Sequence, residues 1–453
     1  MKVHHLKWAL IFVMTFAMPL SVSAEAQSLT LEEAISAALK NNPQVVATRH
    51  EVEAAGFQVT NARSGLLPQL YLSESFNHTN SPLWAFGTKL NQGVIEATDF
   101  NPNHLNEPDA VSNFNTALSL TWNIYDGGQT WIGWRQAQQG RQAAVLSLQR
   151  AEQQIIAQAA KAYMRLLLAV ENHEVIVQSL ETARAHLKLV QNRFRSGISV
   201  KSDVLRAQVR IADLEQKRLM AHSQIQVAQA MLHAAMGRPD TGSIIPATPF
   251  DRCTALKENL TQLIDRALEK RVDLKQLKLQ KVIANKEVDR ARAGHWPTLA
   301  LQGSYELNSE EFSESAENYT VGAVLRMNLY SGQRVSSQTA VAKAMVAKVE
   351  SLCKGFELKV RLKVRVETQR AFYQAQSTWQ SISVARSAVA QAEESLRIVG
   401  NRYGNGLLTI VYLLDAQVTL QQAHTQVFKA LHDYNMARIE LALAAGELDR
   451  NFQ

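Results

Sequence analysis

The stretch Asn61-Ala-Arg-Ser-Gly-Leu-Leu-Pro68 decides the organisation of this chain, because it returns 229 positions later as Asp289-Arg-Ala-Arg-Ala-Gly-His-Trp-Pro297. Two further motifs recur in the same order. Asn123-Ile-Tyr-Asp-Gly127 returns as Asn328-Leu-Tyr-Ser-Gly332, and Asn192-Arg-Phe-Arg-Ser-Gly197 returns as Asn401-Arg-Tyr-Gly-Asn-Gly406. A repeat unit of roughly 200 residues is far longer than a solenoid repeat. The sequence therefore predicts a duplicated domain whose halves occupy equivalent places in one architecture.

The first residues predict export. Lys2 and Lys7 precede an apolar run that ends at Leu20, and small residues follow up to Ala24. This is the pattern of a secretory signal peptide at 1–24. A membrane anchor is the alternative, but the apolar run is too short to span comfortably. No Cys follows the cleavage site, so lipid attachment there is not expected.

Composition excludes several classes of function. After the signal the sequence has no run of 18 apolar residues, so any membrane crossing is expected to use β-strands. The formal net charge of +7 is weak for 453 residues, and no dense Lys/Arg block interleaved with aromatics supports nucleic-acid binding. Cys253 and Cys353 could form a disulfide in an exported protein, or remain two inert thiols.

Long proline-free tracts predict helices. The segments 129–192 and 333–401 would form helices of roughly 95 to 105 Å, with apolar residues at heptad spacing. Shorter helices are predicted at 30–64, 202–236, 259–293 and 408–445. Thr30 and Glu33 form a capping-box pattern at the first of these. Two short helices together match one long helix in length, which predicts that they stack end to end beside it.

Four segments alternate apolar and polar residues with period 2, at 69–76, 117–125, 298–307 and 321–330. Segments of about ten residues with this period are typical of transmembrane β-barrel strands. A soluble antiparallel sheet with one wet face is the alternative. The segments Asn77–Asn115 and Asn308–Asn318 are predicted to be solvent-facing loops. Four strands cannot close a membrane barrel, so subunits would have to pool them: two chains give eight strands and three give twelve.

These patterns divide the chain into a signal peptide (1–24), a first structural repeat (25–237), a linker (238–257), a second structural repeat (258–446) and a C-terminal tail (447–453). The linker is marked by Pro239, Gly242, Pro246 and Pro249.

With these motifs in place, the chain resembles the TolC family of outer-membrane efflux proteins over nearly its whole mature length. The resemblance implies a mainly α fold with membrane β-structure: a homotrimer with a twelve-stranded β-barrel in the outer membrane, continued by a twelve-helix α-barrel through the periplasm. It implies a passive exit duct for efflux or type I secretion, embedded in outer-membrane lipid of a Gram-negative bacterium. A periplasmic adaptor and an inner-membrane pump of RND or ABC type are the implied partners. Neither a cofactor, a metal nor a catalytic residue is implied.

The resemblance also assigns roles to residues. Asp203, Tyr403, Tyr412 and Asp415 would line the periplasmic aperture. Leu408 stands where the best-known member has a basic residue, and Tyr412 replaces one of its two aspartates, so hydrophobic contact is expected to carry more of the closed state. Asp415 would form a ring that favours cations; it is equally interpretable as a first-turn helix residue stabilised by the macrodipole. The turns that would meet the adaptor are Gly197-Ile198 and Gly406-Leu407.

Two other classes of function compete with the duct. A soluble periplasmic coiled-coil adaptor or scaffold would also have long helices, but adaptors have one helical hairpin flanked by β-rich domains. An enzyme is the third possibility. The sequence has no nucleophile elbow, no phosphate-binding Gly-rich loop and no His-Glu-x-x-His zinc motif.

Overall fold

The computed structural model describes residues 27–239, 242–250, 254–256, 258–311 and 315–449. The predicted signal peptide and Cys253 lie outside these ranges. Two long helices run through the molecule, α5 (Gln129–Arg195) and α9 (Arg334–Gly404). Each is followed, after a glycine turn, by a helix of 36 residues: α6 (Lys201–Met236) and α10 (Ile410–Ala445). These four bounds agree with the predicted segments within a few residues at each end.

The two N-terminal helices of the repeats are each interrupted, which the sequence analysis did not predict. The segment 30–64 forms α1 (Leu31–Asn41) and α2 (Pro43–Ser64), and the segment 259–293 forms α7 (Leu260–Lys270) and α8 (Val272–Ala293). At the first break Pro43 lacks the N–H that would continue the helix, and the Asn42 side chain accepts a hydrogen bond from the Gln44 N–H at 3.0 Å. The predicted Thr30–Glu33 capping box is confirmed.

The predicted end-to-end stacking of short helices is confirmed. Gly237 ends α6 with φ 66°, and a Cβ at this position would lie 2.8 Å from the Asn41 carbonyl oxygen at the α1–α2 break. Gly446 ends α10 in the same way, and a Cβ there would lie 3.3 Å from the Arg271 backbone at the α7–α8 break. Glycine supplies both the positive φ and the room for this close approach.

The second break is held by charge rather than by a turn residue. Arg271 is buried, and its guanidinium donates to Asp273 at 2.6 Å and to Glu367 of α9 at 2.7 Å. Burial opposes ionisation of Asp273, but hydrogen bonding to Arg271 and the Arg271 charge outweigh it, so the pKa of Asp273 is lowered. A buried ion pair is destabilised strongly when one partner is removed; the pairing therefore fixes Arg271 against the end of α10.

Four strands form an antiparallel sheet in the order β2-β3-β5-β6: β2 (Gln69–Thr79), β3 (Val111–Asp126), β5 (Thr298–Ser309) and β6 (Ala316–Arg326). The prediction that the last strand continues to residue 330 is wrong. The β5–β6 register begins at Thr298–Arg326, and Pro297 just before it has no N–H to continue the ladder.

The segment Asn77–Asn115 was predicted to be a loop, but it also contains strand and helix residues. Both flanking strands extend into it, since Thr79 pairs with Val111. Between them lie α3 (Pro82–Gln92), a 3-10 turn at Ala97–Phe100 and α4 (Pro102–Asn106). Pro82 and Pro102 each occupy a first-turn position, where proline favours a helix start.

The main hydrophobic core surrounds the middle of α5, and we call this level of the molecule the waist. A short parallel pair joins β1 (Gln27–Leu29) to β4 (Ile244–Pro246), and neither strand was predicted. The buried Tyr163 of α5 donates its hydroxyl hydrogen to the Leu29 carbonyl at 2.8 Å and accepts from the Thr248 N–H at 3.0 Å. One tyrosine thereby ties the start of the first repeat and the linker that follows this repeat to the centre of the long helix.

Helices pack in a fixed lateral order. Between the waist and the tips, the helices lie side by side in the order α6, α5, α10, α9. Between the waist and the four-stranded sheet, the order is α2, α5, α8, α9. None of the helices in the described ranges has the length and apolar content that a membrane span requires.

Candidate functional site

Two features carry functional information: the four-stranded sheet and the two helical tips at the opposite end. The sheet has one apolar and one polar face. Its apolar face exposes Leu70, Leu72, Phe76, Leu118, Trp122, Tyr305, Tyr319, Val321 and Leu325. Its polar face carries Ser73, Ser75, Asn113, Asn115, Ser119, Thr121, Gln302, Ser304, Glu306, Asn308 and Thr320. Glu74 interrupts the apolar face and accepts a hydrogen bond from the Thr116 hydroxyl.

Helix α3 covers the polar face rather than the apolar one. Gln92 at its end donates to Asn113 Oδ1 at 2.9 Å, and Asn113 in turn donates to Asn308 Oδ1 at 2.8 Å. The three side chains are buried. A soluble sheet covers its apolar face, so this arrangement is the reverse of a soluble one.

The two tips are built alike. In the first, the Gly197 N–H donates to the Phe194 carbonyl at 3.0 Å and the Ile198 N–H donates to the Arg193 carbonyl at 2.9 Å. In the second, Gly406 and Leu407 repeat the pattern at 3.0 and 2.9 Å. Gly197 and Gly406 have φ of 71° and 76°, as this helix-ending motif requires. Glycine at both tips was therefore correctly identified as the residue that turns the chain.

Each tip displays a large aliphatic side chain. Ile198 is 68% exposed and Leu407 is 72% exposed, and the two occupy equivalent positions. Exposed aliphatic side chains at the end of a rigid hairpin are suited to contact with another protein.

The first tip is joined to the second by Arg193. Its guanidinium donates to the Tyr403 carbonyl and lies over the Tyr403 ring, 4.9 Å from the ring centroid. Tyr403 is only 5% exposed and packs against Val190, Ala207, Ile410 and Leu413. We call the Arg193–Tyr403 contact the tip latch.

The negative charge of Asp203 acts on the Tyr403 hydroxyl. Burial raises the pKa of the Tyr403 hydroxyl, the positive charge of Arg193 opposes this, and the negative charge of Asp203 adds to it. The Asp203 carboxylate accepts from the Ser199 hydroxyl at 2.8 Å. The structure thus places Asp203 and Tyr403, two of the predicted aperture residues, in one neighbourhood.

Tyr412 and Asp415 are exposed on the surface of α10, and no contact joins them to this pair in the described residues. In the part of the chain that the structure describes, their side chains make no hydrogen bond or ion pair. The repeat relates Asp415 to Arg206, which is exposed on α6 at the equivalent position, six residues after the N-cap of its helix. An aperture lined by Asp415 would therefore also be lined by Arg206.

Arg193 is a residue of the candidate site that the sequence analysis missed. The signal was present, since Asn-Arg-aromatic occurs in both tip motifs, at Asn192 and at Asn401. Of the predicted disulfide pair, Cys353 is buried on α9 and Cys253 lies outside the described residues, so the bridge stays a prediction. Within the described residues, no group of three or more His, Cys, Asp or Glu side chains could hold a metal.

Comparison with known proteins agrees with this geometry. Residues 34–238 and 263–447 match the family model of the outer membrane efflux protein. The outer membrane protein TolC of Vibrio cholerae is 25% identical over 447 residues, covering 95% of each chain. The proteases secretion protein PrtF of Dickeya chrysanthemi is 24% identical over 452 residues, covering 96% of this chain and 92% of the relative.

The fold is shared with solved structures as well. The outer membrane protein VceC of Vibrio cholerae matches with a TM-score of 0.69 at 20% identity, over 92% of this chain and 96% of its own.

Proposed function

The chain belongs to the outer membrane efflux protein family, and on that premise we propose that three copies form the outer-membrane exit duct of an efflux or type I secretion system. The repeats 25–237 and 258–446, joined by the linker 238–257, would give each subunit two equivalent sectors of the wall. The duct is passive and has no catalytic role in this proposal. A periplasmic adaptor and an inner-membrane pump would open it.

The observation that carries the proposal is the sheet. Its exposed apolar face suits lipid, and its polar face suits a water-filled lumen. Within the described residues the outer edges of β2 and β6, the first and last strands of the sheet, have no partner strand. An unpaired edge in hydrocarbon leaves backbone groups unsatisfied, at several kcal/mol each. Closure with other copies removes both edges, and three copies give about twelve strands, enough for a lumen.

At the junction of sheet and helices, a contact that one repeat makes within the chain is missing at the equivalent place in the other repeat, and this difference supports the same assembly. Gly127 approaches the second repeat so closely that a Cβ there would lie 2.5 Å from the Ala293 carbonyl oxygen. Its counterpart Gly332 has nothing within 4 Å. The counterpart of Ala293 is Ser64 on the opposite flank of the chain, so the missing contact is available only from a neighbouring copy.

The tips show the same pattern. Arg193 covers Tyr403 within the chain, whereas their counterparts Arg402 and Phe194 are both exposed and do not meet. In a closed ring of repeats, Arg402 of one subunit would cover Phe194 of the next. Each subunit thus makes one such contact itself and shares the second with its neighbour.

The flanking helices provide the surface for this association. Exposed apolar residues follow one stripe of α6, at Leu205, Val209, Met220, Val227 and Met231. A second stripe follows α9, at Val366, Tyr373, Val384 and Ile398. Their separations of 4, 7, 11 and 14 are those of a coiled-coil seam. Because α6 and α9 are the outer helices of the lateral order, each stripe would pack against a neighbouring copy.

Crosslinking tests the assembly. A variant with Phe194→Cys and Arg402→Cys, in a background with Cys253 and Cys353 replaced by Ser, is treated with a short bismaleimide in outer membranes. We expect covalent trimers in denaturing gels. The matched variant Arg193→Cys with Tyr403→Cys should crosslink within one chain and migrate as a monomer. Monomers only from both variants would contradict the ring.

Ion selectivity tests the proposed aperture. If Asp415 and Arg206 alternate around it, their charges oppose each other, and a purely acidic ring is not formed. Asp415→Ala should then shift selectivity in planar bilayers towards anions, and Arg206→Ala should shift it towards cations. Unchanged reversal potentials in both variants would remove these two residues from the constriction while leaving the duct itself intact.

A further inference from the structure

A small cavity lies between the two helical hairpins, inward from the tips. Its volume is about 110 Å³, and its walls come from α5, α6, α9 and α10. Gln417 lies seven residues into α10 and Arg210 nine residues into α6, which places both about 10–14 Å along the helices from the tips. The cavity is separate from the tip latch and from the predicted aperture residues.

Two buried hydrogen-bond donors in the cavity wall have no partner. Arg210 is 9% exposed and Gln417 is 8% exposed. The Nε of Arg210 and the Nε2 of Gln417 are buried and unpaired. Burying a polar group without a partner is unfavourable, and more so for a charged group. Two such groups in the wall of one cavity, one from α6 and one from α10, indicate an occupant that accepts hydrogen bonds from both.

The rest of the Arg210 guanidinium is already engaged. Its Nη1 donates to Asp213 at 2.7 Å and its Nη2 donates to Gln421 of α10 at 2.6 Å. Asp213 is 41% exposed and is shared with Lys217, whose Nζ lies 2.9 Å away. The single negative charge of Asp213 is therefore shared between Arg210 and Lys217, so a net positive charge remains beside the cavity.

The remaining wall offers no competing negative charge. Among the described residues that line the cavity there is no Asp or Glu; His424 also lines it, and its Nε2 lies 3.9 Å from the Glu393 carboxylate behind the wall. The Ser179 and Thr182 hydroxyls donate to the backbone of their own helix, at 2.7 and 3.0 Å, so their hydrogens are not directed at an occupant of the cavity. Donors and a net positive charge converge on one space.

We propose that Arg210 Nε and Gln417 Nε2 hold a small inorganic anion of chloride size, which joins the first helical hairpin to the second. Size limits the ligand: a water molecule takes about 30 Å³ in the liquid, so the cavity accommodates one ion with a few waters. Drug-sized ligands need roughly 300 Å³ or more. A charge-assisted hydrogen bond from each hairpin to one ion ties α6 to α10.

Direct detection uses bromide as the probe. Crystals of the full-length protein are soaked in sodium bromide, and anomalous difference density is calculated. We expect a peak within hydrogen-bonding distance of Arg210 Nε and Gln417 Nε2. A water peak without anomalous signal at this position would overturn the proposal.

A solution experiment uses thermal unfolding in sodium chloride and in sodium gluconate at equal ionic strength. We expect chloride to raise the Tm of the wild-type protein and of the control Arg184→Met, which removes an exposed ion pair to Glu215. Gln417→Glu places a carboxylate where the ion would sit, so its Tm should lose the chloride dependence while the protein stays folded. Gln417→Leu removes one donor and should weaken the apparent chloride affinity roughly tenfold or more. A chloride response in Gln417→Glu equal to that of Arg184→Met would refute the site. Neither readout depends on the proposed channel function.

Discussion

Removal of the tip latch should open the periplasmic end of the protein. In Arg193→Met the apolar stem of the side chain is kept, while the guanidinium that donates to the Tyr403 carbonyl and covers the Tyr403 ring is lost. Hydrogen bonds to charged groups contribute about 1.5–3 kcal/mol, and a cation–π contact contributes about 0.5–2 kcal/mol. Both interactions use one guanidinium and are not additive, and Arg193 is half-buried, so we take about 2 kcal/mol per subunit.

That free energy is large for a gate. A change of about 2 kcal/mol alters an equilibrium roughly 30-fold, and three subunits would each contribute. Single-channel recordings in planar bilayers should therefore show Arg193→Met in higher-conductance states far more often than the wild type. The control Arg184→Met lies on the same helix and removes a pair whose side chains are 55% and 48% exposed. Exposed pairs contribute about 0–1 kcal/mol, so this control should resemble the wild type.

The result that would refute the reasoning is specific. If Arg193→Met and Arg184→Met give the same conductance distributions while both remain trimeric in detergent, the latch does not hold the closed state. Circular dichroism on both variants separates this outcome from a loss of folding.

Three further predictions concern stability and assembly. Val384→Asp places a charge in the α9 stripe and should shift detergent-extracted protein from trimer towards monomer in analytical ultracentrifugation; unchanged trimer would exclude this face from the interface. Gly127→Ala should lower the free energy of unfolding by about 1–3 kcal/mol more than Gly128→Ala, because both have positive φ but only Gly127 touches Ala293; equal chemical denaturation midpoints would contradict this. Burial, with repulsion from Glu174, raises the pKa of Glu171. Its stabilising contribution is thus present at low pH and is lost as the pH rises through its folded-state pKa. Glu171→Gln should accordingly raise the Tm at pH 7.5 but not at pH 4, and an equal change at both pH values would rule out this charge effect.

Much of the fold follows from local chemistry that is visible in the sequence. The glycines of the two tip motifs end helices because only glycine adopts positive φ at little cost. The heptad spacing within the long tracts predicts their packing, and the period-2 segments predict strands, because both patterns depend on near neighbours in the chain. The break at Pro43, which the sequence analysis did not predict, also has a local cause, since Asn42 before it is a favoured cap.

Other features depend on residues far apart in the chain. The break at Arg271 has no turn residue; it exists because Arg271 pairs with Glu367, 96 positions away, and meets the end of α10. Helix α3 lies on the polar face of the sheet through the hydrogen bonds of Gln92 to Asn113. Neither contact leaves a periodic pattern in the sequence.

The sequence alone determined the duplication, the long helices, the four strands of the larger sheet and the tips, because each rests on propensities and spacings within one segment. Only the tertiary structure decided which copies of a repeated contact are made within the chain and which are left open. Arg193 meets Tyr403, whereas Arg402 and Phe194 remain apart. The motif is the same in both repeats. The two repeats of one chain contact each other on one side only. On the other side, the equivalent contact needs a neighbouring copy.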